Sequence, residues 1–401
     1  MNKKAFITLS LAIFATMMGM SIVAPLMAVY SKSMGASGIW LGLMFSGVSL
    51  SRALFQPVAG WLSDRKDRKT LLIIGLVSYT ILSLGYAWAA DLYQLTAARL
   101  LHGAASSLVT PVAQAYVGDI TPKGKEGTYM NFFMMAMYLG MGTGPFLGGL
   151  LNDSYGISVA FYVMAAVSAI SLIFLIIFVP VMASKSKKEK AGWGAMISLM
   201  KDNKMKAVVL HLFSRAILRQ GITSFLPVFA MEMLAMNTTA SGTVISVFIF
   251  TEAFSQGLVG PVADRMNRKV LLLGGTAVAA FMAFFIGNMG NAAGMLTILV
   301  PIAITTSLAR ASASAYSVEI GSKFHCMGAC MGLVNAAQDL GNFVGPMLFG
   351  WATDAFGSSS IFTVGGITGI VVIPFMAVSL LIKEKPVAAE ATADEPASPG
   401  S

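Results

Sequence analysis

The stretch Gly60-Trp-Leu-Ser-Asp64-Arg65-Lys-Asp67-Arg68-Lys69 decides the architecture, because it occurs twice. Residues 260–269 read Gly-Pro-Val-Ala-Asp-Arg-Met-Asn-Arg-Lys, with Gly, Asp, Arg, Arg and Lys at the same spacing. Further landmarks repeat at an offset of 200 or 201 residues. Gly144-Pro145-Phe-Leu-Gly148-Gly149 is matched by Gly345-Pro346-Met-Leu-Phe-Gly350, Tyr155-Gly156 by Phe356-Gly357, and Ala115-Tyr116 by Ala315-Tyr316. Two apolar segments often look alike by chance. Several polar landmarks at one offset do not, so the chain is two copies of one unit.

Each copy is built to sit in lipid. Of 401 residues, 56% are hydrophobic and 11% charged, against about 25% charged in a soluble domain. Mean hydropathy is +0.75. This excludes a soluble enzyme, a disordered chain and a nucleic-acid-binding module, and the net charge of +9 matters through its placement. One helix needs roughly 20 apolar residues to cross about 30 Å of hydrocarbon. Apolar runs broken by Gly, Pro or charge give spans near 5–30, 39–62, 70–90, 93–117, 129–151, 158–182, 207–230, 240–262, 270–289, 292–316, 327–350 and 360–382. Backbone in lipid must satisfy its own hydrogen bonds, and no short alternating segments of a barrel occur, so these are helices. The expectation is an all-α integral membrane protein: twelve transmembrane helices in two six-helix repeats. Residues 1–182 form the first half, 183–206 a linker, 207–385 the second half, and 386–401 a low-complexity, disordered tail.

Basic residues set the orientation. With the N-terminus placed in the cytoplasm, 21 of the 27 Lys and Arg fall in cytoplasmic segments. Lys32 alone lies on the other side, and Arg52, Arg99, Arg215, Arg219 and Arg310 fall inside spans. Both termini are therefore expected on the cytoplasmic face of an inner or plasma membrane. The first apolar run, from Ala5 to about Tyr30, is too long for a cleaved signal and reads as a span. Two cysteines exclude a disulfide framework.

The repeated stretch resembles the loop signature of the major facilitator superfamily, G-x-L-x-D-R-x-G-R-[RK], through Gly60, Asp64, Arg65, Arg68 and Lys69. Asp67 stands where that family has Gly, and Asn267 stands there in the second copy. Asp and Asn tolerate a left-handed backbone better than most residues, so the same turn is expected. The resemblance implies a gate: Asp64 facing the positive end of the eleventh helix near Met327, and Arg65 or Arg68 paired with Asp119. In the fifth span, Gly140, Gly144, Pro145, Gly148 and Gly149 resemble the antiporter motif of the drug:proton exporters. Glycines four apart make a flat packing face, and Pro145 removes a backbone donor. That helix is expected to pivot and seal where the halves meet.

Ionisable groups inside spans are costly and read as functional. The five arginines face two carboxylates, Glu252 and Asp339, an excess of three positive charges. Arg52 precedes Asp64 by twelve residues, as Glu252 precedes Asp264, about 18 Å of helix. The repeat therefore gives Arg52 and Glu252 one depth and opposite charge, with Gln56 and Gln256 one turn further on. Because the family packs helix two on eleven and five on eight, an Arg52–Asp339 ion pair is expected. Glu252 would face the fifth helix and lack an equivalent basic partner; the alternative is a structural carboxyl satisfied by Arg215 or Arg219. A carboxyl buried alone is held as the neutral acid, so Glu252 is the first candidate for a coupling proton, with Asp339 second. Arg215 and Arg219, on one stripe with His211, are expected to hold the anionic part of a substrate, assisted by Arg99 and Arg310. Guanidinium suits carboxylate and phosphate.

The resemblance implies a secondary carrier working by alternating access, exchanging protons for an exported amphiphilic or anionic solute. A proton symporter or exchanger of organic anions is the alternative. No catalytic constellation, P-loop or cofactor motif is present, so the chain reads as a non-enzyme without cofactor. His325, Cys326 and Cys330 lack a fourth ligand, so no metal is expected. The expected partners are a small-molecule substrate, protons and the lipid bilayer, with no nucleic acid, around a monomer.

Overall fold

The computed structural model describes residues 3–63, 66–122, 125–181, 199–324 and 326–382. Among them twelve long helices follow in order: α1 (Lys3–Ser33), α2 (Gly38–Ser63), α3 (Arg68–Trp88), α4 (Leu92–Ile120), α5 (Glu126–Tyr155), α6 (Ile157–Phe178), α7 (Asn203–Leu234), α8 (Thr238–Arg265), α9 (Arg268–Ile286), α10 (Ala292–Lys323), α11 (Met327–Phe356) and α12 (Ile361–Leu381). Each expected span coincides with one helix. α7 begins earlier than its sequence suggests: Asp202 accepts from the Met205 amide at 3.0 Å and caps it. Residues 203–206, expected in the linker, are thus its first turn, because basic side chains mask a helix start that a capping carboxylate sets. Residues 183–198 and the tail lie outside the described residues.

By composition, eight of the twelve are apolar enough to cross a membrane among the described residues. The other four carry Arg99 (α4), Arg215 and Arg219 (α7), Glu252 (α8) and Asp339 (α11). The same packing recurs in both halves: α1 on α5 and α6, α2 on α4, and α3 on α4 and α6; then α7 on α11 and α12, α8 on α10, and α9 on α10 and α12. The cores match as well, Leu72 and Tyr116 in one half standing where Leu272 and Tyr316 stand in the other. Between the halves run two long seams, α2 on α11 and α5 on α8, with α1 against α7.

The repeated loop staples each half. Arg68 donates to Asp119 and to the Ala115 carbonyl, and Lys69 to the Ile176 carbonyl at 2.7 Å. In the second copy Arg268 reaches Glu319 at 3.2 Å and Lys269 the Leu380 carbonyl at 2.8 Å. Asp67 is not left-handed, however: it has φ −58° and ψ 126°, and Asn267 has φ −65° and ψ 114°. Each is the N-cap of the following helix, Asp67 accepting from the Thr70 amide and Asn267 from the Lys269 amide. Asp and Asn stand there because a short acceptor satisfies an orphan helix donor. Gly60 ends a turn of α2; Asp64 and Arg65 lie outside the described residues.

The glycines of α5 also serve differently from expectation. A Cβ on Gly140, Gly144 or Gly148 would collide with Phe14, Ser21 or Ile22 of α1, inside the same half. Gly149 presses on α8 at the Thr238 carbonyl and Gly142 at the Phe250 ring, while the Pro145 carbonyl meets Gly242 across the seam. Four-residue spacing makes one flat face, and α1 occupies it.

At the face away from the termini the halves are latched by two repeat-related contacts. Asp354 at the end of α11 accepts from the amides of Gly38 and Ile39 at 2.6 and 2.8 Å, capping α2. Asp153 at the end of α5 accepts from the Thr239 amide at 2.8 Å and from the Thr238 and Thr239 hydroxyls, capping α8. Lys32 adds an ion pair to Glu232 at 3.0 Å. Polar links continue down the seams through Ser46 to the Phe343 carbonyl and the Phe146 amide to Ser246. The last ones described are Arg52–Asp339 and Arg310–Tyr138, at mid-depth. A charge-assisted hydrogen bond contributes about 1.5–3 kcal/mol. The double variant Asp153→Ala/Asp354→Ala is expected to populate a state open at this face. Spin labels on the 34–37 and 235–237 turns should show a longer distance; an unchanged distribution would contradict the latch.

Candidate functional site

A cavity of about 370 Å³ lies between the halves, lined by α1, α2, α4 and α5 on one side and by α7, α8, α10 and α11 on the other. Arg52, Arg99, Arg215, Arg219 and Arg310 all reach its wall, and among the described residues no Asp or Glu does. The arginines expected to form the site are therefore brought together. Gln56 and Gln256 are not on the wall, although Gln256 accepts from Arg310 at 3.3 Å. His211 leaves the stripe: its Nδ1 meets the Thr276 hydroxyl at 2.8 Å, buried against α9. Residues four apart turn by about 40° per step, enough over two steps to carry His211 off the face of Arg219.

The carboxylates sit behind this wall. Glu252, expected without a basic partner, has two. Its Oε1 accepts from Arg215 Nη2 at 2.6 Å and its Oε2 from Arg219 Nε at 2.7 Å, with Glu252 2% exposed. Arg215 and Arg219 lie one turn apart on α7, so both guanidiniums converge on the neighbouring α8. This is the alternative the sequence offered for Glu252, a carboxyl satisfied by Arg215 or Arg219, and here both arginines meet it. Arg52 and Asp339 form the expected pair at 2.9 Å, more open, with side chains 28% and 19% exposed.

Three positive charges stay uncompensated, one on the Arg215–Arg219–Glu252 cluster and one each on Arg99 and Arg310. Arg99 lies over the rings of Phe45 at 5.1 Å and Tyr86 at 5.9 Å, and its buried Nε has no hydrogen-bond partner. Arg310 donates to the Tyr138 hydroxyl at 3.0 Å, a neutral acceptor. Burying a cation without an anion is costly, so this excess of positive charge is the main electrostatic feature of the cavity.

Two features of the wall escaped the sequence reading. Met17 and Met20 of α1 face Met134, Met137 and Met141 of α5, a deformable apolar surface. Asn335, Gln338 and Asn342 of α11 also line it. Their i, i+3, i+7 spacing around Asp339 puts them on one helix face and was the available signal. Of the cysteine cluster, His325 lies outside the described residues, and the Cys330 thiol contacts the Ser317 carbonyl.

The Major Facilitator Superfamily profile matches residues 9–325 and 213–400. The chain belongs to the major facilitator superfamily. An uncharacterized facilitator-type transporter of Methanocaldococcus jannaschii is 28% identical over 90% of this chain and 94% of its own. The multidrug resistance protein MdtG of a Rahnella strain is 26% identical over 88% and 87%. Among solved structures, the nucleoside transporter NupG superposes with a TM-score of 0.80 at 14% identity, covering 94% of this chain and 99% of that one. That is a likeness of fold. This facilitator is thus a multi-pass membrane carrier of small molecules, a secondary transporter rather than an enzyme.

Removing one partner of a buried ion pair costs about 3–5 kcal/mol. Glu252→Ala, which strands two guanidiniums, should lower the Tm of the detergent-solubilised protein strongly. Glu252→Ala/Arg215→Ala should recover part of the loss. Equal Tm values for the two variants would show that the cluster is not one electrostatic unit.

Proposed function

We propose that this facilitator is a proton-linked carrier of small amphiphilic organic anions. One observation carries the reading: among the described residues, the charged groups on the cavity wall are five guanidiniums and no carboxylate, beside methionines suited to an apolar body. A cavity of about 370 Å³ is at the small end of the range that holds a single small-molecule ligand.

The proton follows from the carboxylates behind the arginines. A substrate anion arriving at Arg219, 17% exposed, competes with Glu252. A buried carboxylate that loses its cations takes up a proton. Anion and proton then bind together, which by linkage is the sign of symport or of anion exchange.

Proton-coupled export is the second reading, favoured by the efflux proteins among the relatives and by the glycine-rich α5. There the proton belongs on Asp339, which meets only Arg52 among the described charged groups and is more exposed than Glu252. A cationic group would displace it. In both readings the carrier works as a monomer in an inner or plasma membrane, with its termini in the cytoplasm.

The sign of the proton change separates them. Adding octanoate or benzoate to weakly buffered, detergent-solubilised protein should produce proton uptake, abolished in Glu252→Gln. Proton release on adding tetraphenylphosphonium, abolished in Asp339→Asn, would instead establish the exporter and reject the anion reading.

A further inference from the structure

The repeat maps the two seams onto each other residue by residue. Arg52 of α2 corresponds to Glu252 of α8 at an offset of 200, and Asp339 of α11 to Tyr138 of α5 at an offset of 201. The second offset is the one relating Gly144 to Gly345 and Gly156 to Gly357. In the first seam residues 52 and 339 make an ion pair. In the second, Glu252 is drawn back to Arg215 and Arg219. Tyr138 is instead held by Arg310, from α10. Both links cross between the halves and reach the cavity wall, through Arg52 in one and through Tyr138 and Arg310 in the other, with Asp339 and Tyr138 the repeat-equivalent members.

They differ in what breaks them. Arg52 is neutralised by a full carboxylate. Arg310 holds only neutral acceptors, the Tyr138 hydroxyl at 3.0 Å and the Gln256 carbonyl oxygen at 3.3 Å. A carboxylate or phosphate is a far stronger acceptor for guanidinium than a phenol. Arg310 is thus the cavity arginine whose present ligand is easiest for an anion to replace, whereas Arg215 and Arg219 already share Glu252.

We propose that Arg310 receives the substrate anion together with Arg219, and that Tyr138 is the group the anion displaces from Arg310. This rests on the anion-carrier reading and assigns its primary contact. Tyr138 is a positioning residue that acts through Arg310. Displacing it also cuts the α5–α10 link, so loading the site loosens one seam while the Arg52–Asp339 pair still holds the other.

The test is equilibrium binding of octanoate and benzoate to full-length protein in detergent, with octanol and benzamide as uncharged analogues. Losing one hydrogen bond of about 0.5–1.5 kcal/mol corresponds to roughly two- to tenfold in affinity. Tyr138→Phe, which removes the competing acceptor, should tighten anion binding by about that factor. Tyr138→Asp, which copies Asp339 into the second seam, should weaken it by about tenfold or more. Arg310→Gln should abolish it, and the uncharged analogues should be indifferent to all three. Should Tyr138→Asp fail to fold, Tyr138→Phe and Arg310→Gln still decide. Anion binding to the wild type with unmoved affinity in Tyr138→Phe, or retained in Arg310→Gln, overturns this assignment alone. No anion binding to the wild type overturns it together with the carrier reading.

Discussion

The constraint on which the rest depends is the burial of five guanidiniums between two bundles with only two carboxylates near them. A buried charge must be paired, or lent to a ligand. Glu252 and Asp339 satisfy three of the five arginines, and the aromatic rings around Arg99 and the phenol facing Arg310 soften the rest. The cavity is thereby left with three positive charges that no carboxylate balances. In the anion-carrier reading proposed above, that shortfall selects an anion without any group shaped to one particular solute.

Mechanics follow from the helices that carry these groups. Within a half, α5 sits with its glycines against α1, and the basic residues at the start of α3 tie down α4 and α6. Each half is consequently stiff, and relative movement is left to the two seams. The contacts near the capping aspartates must part when the cavity opens to that side.

Much of this was legible in the residues. Hydrophobic runs and flanking charge locate the twelve helices, because lipid leaves the backbone no other solution. The repeat supplies depth, and depth with family packing was enough for Arg52–Asp339. Depth says nothing about which neighbour inside a half turns its side chains toward a group. Glu252 therefore looked solitary, although two arginines on α7 are aimed at it. The same blindness gave Asp67 a left-handed role when its carboxylate is an N-cap, and put the α5 glycines between the halves when α1 covers most of them.

The divergence of the two copies at one register has a consequence for pose. Had both seams kept an arginine facing an aspartate, the two seams would be related by an internal two-fold, and a charged group near either would meet the same surroundings. Such degeneracy would leave the head of a polar solute without a preferred end of the chamber. With glutamate at 252 and tyrosine at 138, the two-fold survives in the scaffold and is lost in the chemistry of the seams, so the two sides of the chamber are not interchangeable.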